Sequence, residues 1–112
     1  MSDAKSPHTP DDHRAIIVCT DKRGVFFGYV PIDGPSDESI LGDGVIVQLK
    51  RARMAVYWTE SEHGVVGLAA KGPGAGCRIG PPATITVRDV HAVLDVDDPE
   101  AVARWESEPW SK

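Results

Sequence analysis

Hydrophobic and polar positions along the chain fall into a series of short extended segments. Arg14–Thr20 (RAIIVCT) is rich in β-branched residues and apolar at consecutive positions, the pattern of a strand buried on both faces. Asp21, Lys22, Arg23 and Gly24 supply turn residues, and Val25–Val30 (VFFGYV) returns as a second strand, so the pair predicts a hairpin. Gly28 inside the returning strand predicts a bulge or a close approach to another backbone. Pro31–Gly44 reads as an acidic loop with prolines and glycines. Val45–Lys50 (VIVQLK) then alternates, with Val45, Val47 and Leu49 on one side and Gln48 and Lys50 on the other. Met54–Thr59 (MAVYWT) alternates again, with Met54, Val56 and Trp58 opposite Ala55 and Tyr57. These two segments are either paired strands or one long bent strand. No turn residue lies between them, which disfavours a direct hairpin.

Farther along, Glu60–Gly64 reads as a second hairpin turn and Val65–Ala70 (VVGLAA) as its return strand. The segment 72–82 (GPGAGCRIGPP) is dominated by glycine and proline. Thr84–Arg88 and His91–Val96 are extended, with a kink at Asp89. A helix is predicted over about residues 98–107: Asp97 caps it, Pro99 suits its first turn, Glu100 completes a capping box, and Pro109 stops it. Ala101, Val102 and Trp105 fall on one face of that helix. Seven short strands and one late helix predict a mainly β fold, a small antiparallel barrel or roll of SH3-like size with a short C-terminal helix. Residues 1–13 are polar and contain two prolines, which predicts a disordered tail and leaves 14–112 as a single domain.

Composition narrows the function. The chain has 112 residues and a formal net charge of −5. A duplex nucleic-acid binder carries a basic footprint, because phosphate contacts dominate its affinity, and that footprint is missing overall. No apolar run approaches the about 20 residues that span a bilayer, and no secretory signal precedes the domain, so a cytoplasmic protein with reduced thiols is expected. Cys19 reads as a small core residue, and nothing in the spacing supports a disulfide to Cys77.

Candidate chemistry is sparse. The glycine-rich segment fails the Walker pattern, since Cys77 and Arg78 follow Gly76, and it fails the dinucleotide pattern, since Cys77 or Ile79 occupies the third glycine position. A strand, not a helix, follows it, so no helix N-terminus awaits an anion. The segment reads as a rigid crossing, with Arg78 as the residue that would meet a carboxylate or phosphate if it bound one. Arg51, Arg53, Ala55 and Tyr57 share a face if their strand is regular, giving two cations and an aromatic ring in a stripe. The alternative for that stripe is a solvated sheet face whose charges deter edge pairing. Ser61, Glu62 and His63 are neighbours in a turn, which points triad-like side chains apart. The histidines and cysteines lack zinc spacing, and the carboxylates of Asp33, Asp37, Glu38 and Asp43 lack that of a calcium loop. Trp110, beyond the helix, is the candidate interface anchor. No catalytic residue, metal site or cofactor motif emerges.

The order MAVYW, GLAAKGP, GCRIGP, TITVRDV, EAVARWE and a closing PW resembles a family of small proteins encoded by bacteriophages and prophages. The residues that carry the resemblance include Tyr57, Trp58, Gly67, Leu68, Gly72, Pro73, Gly76, Arg78, Gly80, Pro81, Trp105, Pro109 and Trp110. The resemblance implies an origin and no mechanism. The expectation is a non-enzymatic accessory protein that binds a host or phage protein in the host cytoplasm, an inhibitor of a host factor or defence system among them. The alternatives are nucleotide or single-stranded nucleic-acid binding through Arg78 and the Arg51/Arg53/Tyr57 face, and a structural role in a virion, for which a homo-oligomer would be compatible.

Overall fold

The computed structural model describes residues 12–20, 24–58, 64–74 and 77–107. The expected hairpin is there: β1 (His13–Thr20) pairs antiparallel with β2 (Val25–Pro31), from His13 opposite Pro31 to Cys19 opposite Val25. Pro31–Gly44 is not wholly irregular. Ser36 caps a single helical turn, α1 (Asp37–Ile40), by accepting from the Ser39 amide, and the turn carries Ile40 into the interior. Between the two readings of residues 45–59, the chain adopts the long bent strand, β3 (Gly42–Tyr57). β5 (Ala83–Asp95) likewise runs through both expected C-terminal strands, kinked at Asp89, whose φ is +62°.

The strand order is β2-β1-β5-β3, and β2 also pairs with β3, so four antiparallel strands close into a barrel. A two-residue strand, β4 (Arg78–Ile79), pairs with β3 beyond the last residue that β5 reaches. The expected C-terminal helix is α3 (Pro99–Glu106), capped by Asp98 rather than Asp97: the Asp98 carboxylate accepts from the Glu100 amide at 2.9 Å. The fold class is therefore the one the sequence predicts.

One expected strand is corrected. Val65–Ala70 belongs to a helix, α2 (Gly64–Lys71). Val65, Leu68 and Ala69 recur at helical spacing, with Leu68 and Ala69 buried and Val66 exposed on the other side. Gly72, at φ +80°, ends the helix by donating to the Leu68 carbonyl at 3.0 Å.

Alternation along the strands builds two cores. Ile16, Val18, Val30, Val47, Leu49 and Val87 fill the barrel, with Ile40 from α1. Ile17, Phe27 and Tyr29 point out of the barrel and are covered by Leu68 and Ala69 of α2 and Ala101, Val102 and Trp105 of α3. Trp105 is the keystone of this outer layer. Its ring stacks on Phe27 at 5.0 Å and 5°, and its Nε1 donates to the Leu68 carbonyl at 3.0 Å. Inside the barrel Gly28 lets β2 and β3 close together, since a Cβ there would lie 2.7 Å from the Leu49 Cβ.

Candidate functional site

The candidate residues of β3 are separated by one bulge. Tyr29 pairs with Lys50 and Phe27 with Arg53, so β3 spends three residues where β2 spends two. Against β5 the count is the same, with Leu49 opposite Ile85 and Ala52 opposite Ala83. Arg51 takes up the extra residue at φ +47°. The extra residue inverts the alternation. Val47 and Leu49 line the barrel before it, and Ala52 lines it after, so Arg53 and Ala55 turn outward beneath the helices.

Arg53 is consequently a buried residue, 2% exposed. Its Nε donates to the Gly80 carbonyl at 2.8 Å, and its Nη1 donates to the carbonyls of Trp105 and Ser107. Those last two lie at the C-terminal end of α3, where carbonyls lack helical partners and a cation is favourable. The expected stripe of Arg51, Arg53 and Tyr57 does not form for that reason. Arg53 clamps α3 to the sheet, Arg51 sits on the bulge, and Tyr57 enters as the backbone partner of Arg78.

The bulge leaves exposed two residues that the sequence marks only as one side of an alternating strand. The barrel-lining stripe of β3 runs Val47, Leu49, Ala52 and then continues to Met54 and Val56, which are 40% and 61% exposed. On the neighbouring β4, Ile79 goes into the outer core opposite Ala55, which places the exposed Arg78 on the same open face as Met54 and Val56. Phe26, the partner of Met54 on β2, is partly buried at the rim. Arg78 has no ion pair among the described residues. The result is an apolar strand end with one uncommitted cation beside it. A usable signal lay in the sequence: the apolar positions change parity between Val47/Leu49 and Met54/Val56.

The other candidates are accounted for by the fold or lie outside it. Trp110 and the Ser61, Glu62 and His63 run lie outside the described residues. In the glycine-rich segment, Gly72 is the end of α2, Cys77 is buried, and the Gly80 amide donates to the Met54 carbonyl at 2.9 Å, so these three residues serve the structure. In the acidic loop, Asp37 is held by Arg14, whose Nη1 donates to Asp37 at 2.7 Å and to Asp95 at 3.0 Å while Nη2 donates to the Pro35 carbonyl at 3.0 Å. Arg14, Pro35 and Asp37 border an open cleft of about 350 Å³. Burial, and then the neighbouring Asp37 carboxylate, raise the Asp95 pKa above its ordinary value despite Arg14. Both cysteines are free, and burial raises the Cys19 thiol, which leaves it less reactive. Among the described residues no group of three histidine, cysteine or carboxylate side chains could hold a metal ion, and no helix is long and apolar enough to cross a membrane.

Residues 13–105 match a domain of unknown function, DUF6948, and the chain belongs to that family. No curated protein and no solved structure matches it.

Proposed function

We propose that this member of the DUF6948 family is a non-enzymatic binding protein, and that it takes a protein partner on the exposed end of β3. The observation that carries this reading is the run of the barrel-lining stripe past the rim: Met54 and Val56 continue the face that buries Val47, Leu49 and Ala52, and here it is open. Adjacent exposed apolar side chains on rigid strands mark binding surfaces more often than isolated ones do. Arg78 on the same face adds a planar donor fork, so the complementary partner surface presents apolar side chains and a carboxylate. The resemblance to small phage and prophage proteins makes a host or phage protein in the cytoplasm the partner under this reading. The nucleic-acid alternative is weakened because Arg53 faces the interior, its guanidinium held by backbone carbonyls.

A photo-crosslinking residue placed at Val56 in cells, with another at Val66 for reference, tests it. Val66 is 69% exposed and lies on α2. The expected result is one protein joined at position 56, absent at position 66, and lost when Met54→Glu or Arg78→Glu is added. Adducts that are nucleic acid, that are only second copies of the chain, or that are the same from both positions would overturn the proposal.

A further inference from the structure

Closure of the barrel leaves one stretch of β5 paired on a single side. β1 meets β5 only from Val90 onward, with Thr20 opposite Val90 and Ile16 opposite Asp95. Residues 83–88 precede that stretch, and β3 pairs with them along one side, from Ala52 opposite Ala83 to Ile46 opposite Arg88. Among the described residues no strand pairs with their other side. Alternate N–H and C=O groups of that side point away from β3, the arrangement that templates pairing with another chain. Ala83, Thr84, Thr86 and Arg88 are exposed.

The sequence of this edge suits an added strand. Thr84, Ile85, Thr86 and Val87 are β-branched in succession. Folded proteins guard edges with prolines, bulges and charges, and here those stand at the ends: Pro82 before the stretch, Arg88 and the kinked Asp89 at its close. The two faces are distinct as well. Val87 belongs to the barrel core and Ile85 packs against it, whereas Thr84, Thr86 and Arg88 face out. An incoming strand that continues the sheet must set inward residues beside inward ones. A second copy of the same stretch, run antiparallel about a two-fold axis at Thr86, meets that condition. Thr86 then faces its own counterpart, Ile85 faces the copy's Val87, and Thr84 faces the copy's Arg88. No like charges stand opposite, since the two Arg88 side chains lie about 13 Å apart along the strands. Ala83 and Asp89 are equidistant from Thr86, so this register uses the full length of the open edge.

We propose that the chain forms a homodimer through this edge, β5 against β5 of a second copy, in one continuous sheet of order β3-β5-β5-β3. A two-fold contact of this kind needs a single patch that complements itself, and the register centred on Thr86 supplies it. Backbone hydrogen bonds provide the affinity, and the paired Thr86, Ile85 and Val87 side chains fix the register. Met54, Val56 and Arg78 take no part in it, so the dimer and the partner surface are tested separately.

The mass of the full chain in solution, followed over a dilution series, tests this. The expected value is twice the mass of one chain, falling to that of one chain on dilution. Thr86→Lys and Thr86→Glu each set like charges opposite at the axis from an exposed position, so each keeps the unsubstituted circular dichroism spectrum and sediments as a single chain. An equimolar mixture of the two returns to the doubled mass. With oxidised glutathione, Thr86→Cys joins two copies and the unsubstituted chain does not, because directly opposed Cα atoms lie about 4.5–5.5 Å apart, within disulfide reach. Thr84→Cys, about 13 Å from its counterpart, gives no such link. A single-chain mass at every concentration, a dimer untouched by both charged variants, a mixture that stays monomeric, or linkage at position 84 in place of 86 would overturn the proposal.

Discussion

At the scale of single residues, Arg53 shows how a charge is kept inside this protein. Its guanidinium meets the carbonyls of Gly80, Trp105 and Ser107, and the α3 acceptors come from more than fifty positions farther along the chain. Arg53→Met keeps the stem but strands those buried acceptors, which costs about 3 kcal/mol. Urea unfolding measures the loss, and faster amide exchange in α3 locates it. Under the proposed function, crosslinking from position 56 is unchanged in that variant wherever it remains folded. Gly28→Ala acts differently: the new Cβ would sit 2.7 Å from the Leu49 Cβ, forcing β2 and β3 apart for about 1–3 kcal/mol, visible as a lower melting temperature. Both effects bear on what the sequence discloses. Gly28 is legible as a tight spot because glycine inside a strand has few other uses. Arg53 is not legible as core, because regular alternation places it beside Arg51, and only the bulge separates them.

At the scale of elements, α2 is a helix made by its surroundings. Gly64, Val65, Val66 and Gly67 are poor helix formers, and eight residues would not hold helical structure alone. Packing of Leu68 and Ala69 under α3 decides the matter, together with the Trp105 hydrogen bond to the Leu68 carbonyl. Propensity therefore favours a strand, and the true signal was terminal: Lys71, Gly72 and Pro73 in order form a helix stop. Gly72 and Pro73 also open the glycine-rich segment, whose composition masks the stop. Gly72 also sits against α3, where a Cβ would approach the Ala101 carbonyl oxygen to 2.8 Å. Gly72→Ala thus combines a strained φ of +80° with a steric conflict and lowers stability by about 2 kcal/mol. Hydrogen exchange separates this from a general loss: α2 and α3 lose protection together, and the barrel strands keep theirs.

At the scale of the whole molecule, closure joins segments that the hydrophobic pattern cannot connect. Alternation predicts strands and a barrel-sized set of them, but β2 pairing with β3 depends on the bulge and on Gly28. Near α1 the closed structure is tied by Arg14, which bridges Asp37 of α1 and Asp95 at the end of β5. Folding brings these carboxylates to each other as well as to the arginine, and the net effect raises the Asp95 pKa, through burial first and Asp37 second, with Asp97 adding to it. An acid with a raised folded pKa binds more protons folded than unfolded in the window between its ordinary value, about 4, and its folded one. Stability therefore falls as pH rises through that window, and the loss persists at neutral pH. Asp95 is half-exposed, so solvent keeps the effect small. Asp95→Asn removes it while leaving an acceptor for Arg14. Relative to wild type, that variant gains stability between pH 4 and pH 7 in urea titrations, and the difference narrows in acid, where Asp95 is protonated in both states. A variant that instead loses ground toward pH 7 would show that the attraction of Arg14 outweighs burial and Asp37 at this corner of the barrel.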